Sequence, residues 1–417
     1  MNLDQFDGKN VVFVGVGRGR SFESFRDFAT KHSKALSVTG VDKQDGPEPL
    51  AFLKDYDPAT TVFVKNEGIP GTEMPVPYLT NMNLFFELVE KLGARTVGVT
   101  GTKGKSTTTA LTAAMLRTGG LDVILAGNIG VSVFEDLENA TKDTVFVLEL
   151  SSYQLSDIQH SPNIAICINL FNDHADWHGS QKAYWEAKHN IMRFCGPDDL
   201  FIYNPDFPAL QDWADGATCR TAAIDAQEEI NMDNTALYGE QNRLNALAAR
   251  LAARELGVSD EDCQAALDEF KPLEHRMEKV PTTNEHVFIN DAIGMTPEST
   301  LASMKAVTTK HGPIGCLFLG GQDRGYDFSE LVSQIAAANI PNLVLFPDTE
   351  ETFKKMLPDG YTPEIFETKD MDEAVKWAAE HAPAGSVVLM STAAPSYSAW
   401  SGFEEKGTLF KAAVAKL

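Results

Sequence analysis

Short apolar runs recur along the chain, each closing on glycine or a polar cluster, and they alternate with longer helix-forming segments. Runs at 10–14, 62–64, 96–100, 123–125, 144–148, 164–170 and 200–203 predict buried strands, as do 287–289, 314–319, 343–346 and 387–390. Helices are predicted at about 107–118, 180–194, 240–256, 259–271, 297–308, 328–339, 370–381 and 403–415. Strands alternating with helices in this way predict an α/β fold built on mostly parallel sheets covered on both faces. Breaks in the pattern divide the chain into 1–91, 92–272 and 273–417. The first part reads as a small open sheet with helices, and the other two as longer α/β series.

Composition narrows the class. A chain of 417 residues exceeds one ordinary core and suits two or three domains. The formal charge of −24 argues against non-specific binding to nucleic acid or to an anionic membrane. An anionic substrate would therefore need local basic residues. Five scattered cysteines form no C-x-x-C pair, which fits neither a zinc ribbon nor a disulfide framework and suits a reducing cytoplasm. The first residues show no basic segment followed by an apolar one, and no apolar run is long enough to span a bilayer.

Against that background one stretch carries chemistry. The apolar run 96–100 feeds Gly101-Thr102-Lys103-Gly104-Lys105-Ser106-Thr107, and a helix-forming segment follows. Strand, glycine turn, lysine, hydroxyl and helix arrive in the order of a phosphate cradle. Backbone N–H groups face the phosphates, the lysine reaches the terminal ones and the hydroxyl can ligate Mg²⁺. The spacing is tighter than G-x-x-x-x-G-K-[ST].

Other polar groups sit where predicted strands end. Glu149 follows the run 144–148, where it could hold a metal ion beside the cradle or cap the next helix. The run 164–170 ends in Phe171-Asn172-Asp173-His174-Ala175-Asp176-Trp177-His178, so His174 reads either as a metal ligand or as a structural loop histidine. Lys188 lies on a helix, and periodicity alone reads it as solvated. Asn242 and Asn245 share a helix face near its start, suited either to a base edge or to turn backbone. Gly15-Val16-Gly17-Arg18-Gly19 lacks the third glycine of a dinucleotide fingerprint, so it reads as a tight turn or a phosphate contact.

Together these pieces resemble one family. The segments at 101–107, 127–130 (G-N-I-G), 148–155 (L-E-L-S-S-Y-Q-L), 169–178 (N-L-F-N-D-H-A-D-W-H) and 242–249 (N-R-L-N-A-L-A-A) are similar to those of the Mur ligases. Leu273-Glu274-His275-Arg276-Met277-Glu278 resembles the segment that opens the family's last domain. Gly320-Gly321 and 396–407 (S-Y-S-A-W-S-G-F-E-E-K-G) most resemble the glutamate-adding members.

The resemblance implies three domains: an N-terminal Rossmann-like domain for the uridine diphosphate moiety, a central P-loop ATPase-like domain and a C-terminal Rossmann-like domain for the amino acid. It implies that Gly101, Thr102, Lys103, Gly104, Lys105, Ser106 and Thr107 cradle ATP, with Asn242, Asn245, Arg276 and Asp291 contacting the nucleotide. Lys105, Glu149, His174 and Lys188 become the catalytic set. Ser106, Glu149, His174 and a carbamylated Lys188 become ligands of Mg²⁺, two ions in all. Gly15, Gly17, Arg18, Ser21, Asn128, Ser152, Arg324, Ser396 and Phe403 become substrate-binding positions.

The implied reaction joins D-glutamate to UDP-N-acetylmuramoyl-L-alanine in a cytoplasmic monomer. ATP converts a poor carboxylate electrophile into an acyl phosphate, and the incoming amine then displaces phosphate. The chain departs from the family pattern in its last domain. Ile293 and Met295 stand where a lysine and a threonine help hold glutamate, and Arg324 stands at another lysine position. A guanidinium grips a carboxylate bidentately and can offset part of that loss, and Thr296 could supply the hydroxyl. The same departure suits L-glutamate as the alternative acceptor. Two rivals are a folylpolyglutamate-type ligase, which lacks the N-terminal domain, and a non-catalytic nucleotide-binding subunit.

Overall fold

The computed structural model describes residues 2–16, 21–45 and 48–417. It divides into two compact units, Met1–Thr235 with Gln241–Phe270, and Ala236–Glu240 with Lys271–Leu417. The first unit carries two sheets and the second carries one.

The first sheet holds β1 (Asn10–Val14), β2 (Ser37–Val41), β3 (Thr61–Lys65) and β4 (Leu79–Thr80), in the order β2-β1-β3-β4 and all parallel. The second holds β5 (Arg95–Thr100), β6 (Asp122–Gly127), β7 (Thr144–Glu149), β8 (Ile164–Cys167), β9 (Leu200–Tyr203) and β10 (Arg220–Ala223), in the order β10-β9-β8-β5-β7-β6. Every pairing in it is parallel. The chain runs to β6 and β7 on one side of β5 and to β8, β9 and β10 on the other. That reversal opens a crevice at the carboxyl end of β5, where open parallel sheets place ligands.

One hydrophobic core joins the two sheets of the first unit. Phe25 and Phe28 pack on Phe134 at 5.5 and 5.4 Å, and Phe85 meets Phe146 edge-on at 5.2 Å. A buried ion pair, Lys65 Nζ to Asp157 Oδ2 at 2.8 Å, links them a second time.

The second unit is built on β11 (Glu278–Lys279), β12 (Val287–Asn290), β13 (Ile314–Gly320), β14 (Asn342–Phe346), β15 (Glu364–Glu367) and β16 (Val387–Met390). Their order is β11-β12-β16-β13-β14-β15, with only β11 antiparallel. The central strands are buried along their whole length, which explains their uninterrupted apolar sequence. Tyr238 belongs to this unit's core and donates to Met277 O at 3.3 Å.

Several boundaries differ from the sequence pattern. The run 164–170 stays in the ladder only to Cys167, because the next residues wrap the glycine loop. The helix expected from 107 begins at Lys105, capped by Gly104 at φ +82°. Strands β2, β4, β10, β11 and β15 lack an apolar run: two have only two residues, and the others contain no fully buried residue.

Candidate active site

The glycine loop lies in the crevice beyond β5, and it is braced from below. Asn169, fully buried, accepts from the backbone N–H of Thr102 and of Lys103, both at 2.9 Å, and donates to Lys103 O at 2.8 Å. Thr102 Oγ1 accepts from Phe171 N at 2.9 Å and from the Tyr184 hydroxyl at 3.1 Å. These bonds fix the loop before any ligand arrives, so its conformation costs less to order on binding. Gly104 packs so closely on Asn245 that a Cβ there would lie 2.8 Å from Asn245 Oδ1. Asn245 also donates to Asn242 Oδ1 at 3.3 Å, so the two asparagines meet beside the loop. Ser106 and Thr107 are buried in the first helical turn, and Lys105 Nζ donates to Thr102 O at 3.0 Å.

Glu149 ends β7 and is only 2 % exposed. It does not cap the next helix. Ser151 does that, in a capping box with Gln154. Glu149 Oε1 accepts from Asn128 Nδ2 at 2.9 Å, whereas Oε2 is buried without a hydrogen-bond partner in the protein. A lone buried carboxylate oxygen calls for a cation or a donor to satisfy it. Asn128 is itself held by its backbone N–H to Glu149 O at 3.0 Å.

Lys188 overturns the solvated reading. It is 1 % exposed on the helix Gln181–Arg193, donates from Nζ to Gly101 O at 2.8 Å and lies 4.8 Å from the Tyr184 ring centroid. Burial pushes its ammonium well below the usual lysine range, and the Lys105 charge pushes the same way. Lys188 shares the buried 184, 187, 188 and 191 face of its helix, and its partner Gly101 lies 87 residues away, which periodicity does not show.

His174 sits in left-handed backbone at φ +46°, opening the short helix Ala175–His178. The ring meets the Tyr153 hydroxyl at 2.9 Å through Nδ1. Burial lowers its pKa, so a neutral imidazole is favoured. Lys105 and Lys188 both act on His174 electrostatically, and Lys105 and Glu149 both act on Lys188. The four residues of the expected catalytic set thus share one electrostatic site. Ser152, buried beside it, meets His178 Nε2 at 3.0 Å. Burial pushes the His178 imidazole down to about 4.

At the amino-terminal sheet, Gly15 takes φ +93° and accepts from Asn66 Nδ2 at 2.7 Å, while Ser21 opens the helix Ser21–His32. Gly17 and Arg18 lie outside the described residues.

In the second unit, the carboxyl ends of β12, β13 and β16 bring the remaining candidates together. Asp291 is buried, accepts from Ser303 Oγ at 2.6 Å and Ser391 Oγ at 2.8 Å, and feels the charge of Arg276. Burial pushes its carboxyl up to about 6. Both of its oxygens are engaged within the unit, Oδ1 by Met277 N at 3.3 Å. The Thr296 hydroxyl is occupied as the N-cap of Pro297–His311, which removes it as the substitute expected for Met295. Arg324 carries its guanidinium 6.0 Å from the Tyr397 ring centroid and donates to Gln322 Oε1 at 3.3 Å. Ser396 is buried against Met295, and Phe403 opens the last helix.

Asn169 and Tyr184 were missed by sequence reasoning as parts of the site. The signal for Asn169 is one amide inside an otherwise apolar run. Tyr184 carried none.

The loop at the end of β5, with an orphaned carboxylate and a buried lysine, forms a candidate ligand site at the switch point of a parallel α/β sheet. Residues 99–248 match the Mur ligase middle domain, and residues 275–394 match the Mur ligase glutamate ligase domain. The chain belongs to the Mur ligase family. UDP-N-acetylmuramoylalanine--D-glutamate ligases from Bacillus thuringiensis and Bacillus anthracis are each 34% identical to it, over 92% of this chain and 88% of theirs. In fold it is similar to MurF from Thermotoga maritima in complex with ADP, at TM-score 0.64 and 16% identity over 98% of this chain and 96% of that one. MurC from Thermotoga maritima aligns at TM-score 0.62 and 18% identity, over 96% and 98%.

Proposed function

We propose that this chain is an ATP-dependent ligase of peptidoglycan-precursor synthesis that joins D-glutamate to UDP-N-acetylmuramoyl-L-alanine. The observation that carries the reading is the buried Glu149 and Lys188 flanking a pre-braced phosphate loop, in a chain 34% identical to D-glutamate ligases over 92% of its length. Residues 1–91 would take the uridine diphosphate moiety, 92–272 the ATP and 273–417 the amino acid. The five cysteines are free thiols, which suits the cytoplasm.

The unpartnered Glu149 Oε2 fits a divalent cation. Among the described residues no group of three or more His, Cys, Asp and Glu side chains comes together. Glu149 and His174 therefore need further ligands, and the Ser106 hydroxyl and a carbamylated Lys188 complete the set. When bound, Mg²⁺ offsets the charge of the phosphates as the substrate carboxylate approaches. Lys105 carries positive charge to the same place, and the loop amides orient the phosphates for in-line transfer. The acyl phosphate that results is open to the amino group of the acceptor. Burial favours the neutral amine of Lys188, the form that adds carbon dioxide.

The same condensation with L-glutamate is a second reading, favoured by Ile293 and Met295 in the acceptor pocket. Purified protein given UDP-N-acetylmuramoyl-L-alanine, ATP and each glutamate enantiomer, with phosphate release followed, tests both. Turnover with the D-form is expected. Turnover with the L-form alone would overturn the stereochemistry, and none with either would overturn the reading.

A further inference from the structure

Lys406 lies in the first turn of the helix Phe403–Val414, three residues after Phe403, and it is 0 % exposed. Its Nζ lies 2.5 Å from Thr392 Oγ1, and among the described residues it forms no ion pair. An apolar side chain of similar length would fill this space without the desolvation cost of an amine, so the group is expected to contribute more than packing.

What Thr392 holds shows what that contribution is. The hydroxyl that accepts from Lys406 donates onward to Ala394 O at 3.0 Å. Between them, Ala393 sits at φ +58°, a left-handed conformation that an L-residue keeps only when its surroundings enforce it. This turn is the meeting point of three loops. Ala393 N donates to Gly294 O at 3.0 Å, within the segment carrying Ile293 and Met295. Gly320 N donates to Thr392 O and Gln322 N to Pro395 O, both at 2.8 Å, which ties in the segment carrying Arg324. Ser396 follows directly. The helix bearing Lys406 packs closely on His275, since a Cβ on Gly407 would lie 2.2 Å from His275 Nδ1.

We propose that Lys406 is a positioning residue for the acceptor amino acid: through Thr392 it holds the strained 391–396 turn, and thereby sets the loops bearing Ile293, Arg324 and Ser396 at the spacing the acceptor's carboxylates require. The inference rests on glutamate being the acceptor. It assigns Lys406 no contact with substrate.

Steady-state kinetics of Lys406→Met, Lys406→Arg, Thr392→Val and Thr392→Ser test it. Lys406→Met is expected to raise the KM for glutamate about tenfold or more, the usual effect of losing an outer-shell support, with the KM values for ATP and the UDP substrate within about twofold. Thr392→Val, which deletes the same bond without touching the lysine, gives the same split. Lys406→Arg and Thr392→Ser recover most of it. An unchanged glutamate KM in Lys406→Met or Thr392→Val, or all three KM values rising together, overturns the proposal. If Lys406→Met does not fold, the Thr392 pair decides alone. A wild-type protein that turns over neither glutamate enantiomer overturns the functional reading, and this inference with it.

Discussion

The side-chain nitrogen of Lys188 donates to the carbonyl oxygen of Gly101 across 2.8 Å, so a residue on the helix Gln181–Arg193 touches the first glycine of the 101–107 loop. The contact brings a buried amine to the edge of the crevice at the end of β5, where Lys105 and Glu149 both act on it. Lys188→Ala is expected to cut turnover on the order of 10²–10³-fold or more, the range seen when one preorganised electrostatic group is lost. Added small carboxylates should restore part of it by occupying the vacated space. Phosphate-release rates with and without such anions check this, and unchanged activity in the variant would remove the carbamate role.

Glu149→Gln separates charge from shape. The amide oxygen can still accept from Asn128 Nδ2, so the fold should persist, while the buried oxygen that lacks a partner loses its charge. Turnover should drop roughly 100-fold or more, with the Mg²⁺ requirement moved to higher concentration. A magnesium titration of activity, alongside a thermal melt, reads both effects.

Gly104→Ala tests the loop itself. Its φ of +82° disfavours any side chain, and a Cβ there would press on Asn245 Oδ1 at 2.8 Å. Weakening of ATP by roughly tenfold, the equivalent of about 1.4 kcal/mol, is expected from calorimetric titration.

Asn169→Leu leaves the Lys103 amide without its acceptor and the Thr102 amide with only the Asn169 backbone carbonyl, at 3.2 Å. The cost to stability is about 1–3 kcal/mol, the range for one donor left unsatisfied on desolvation. Urea unfolding measures it, and nucleotide affinity should fall in parallel.

Asp291 sets a pH dependence. Its carboxyl, raised to about 6 by burial, keeps its proton over a range where the unfolded chain has released it. Protonation therefore favours the folded state. Its contribution is fully present below about pH 4 and falls away as pH rises to about 6, by about 3 kcal/mol in all. The stability difference between wild type and Asp291→Asn, followed by urea titration across that window, should decline in this direction and then level off.

How much of this was legible in the chain depended on whether a residue's role was local. The strand, glycine loop and helix around 101–107 were, because they are contiguous, and the buried strands of the second and third sheets were, because burial on both faces writes an unbroken apolar run. Glu149 could be placed at a strand end but not told from a helix cap until Ser151 was seen to do the capping. Lys188 was illegible by periodicity, since its burial depends on Gly101, 87 residues away. Thr296 misled for the opposite reason: its hydroxyl serves the helix it begins. Short or half-exposed edge strands such as β4 and β10 take their pairing from neighbours and leave little trace in composition.

Tyr238 has a consequence for anyone recombining this chain with a relative. A crossover at Lys271 looks clean, because the second unit's long segment starts there. Yet Ala236–Glu240 travels with that unit, and Tyr238 is part of its core. A hybrid joined at Lys271 would fill that slot with a residue from the other parent, facing a Met277 carbonyl it did not evolve with. The exchangeable cassette is discontinuous, and a working chimera must carry both pieces from the same source.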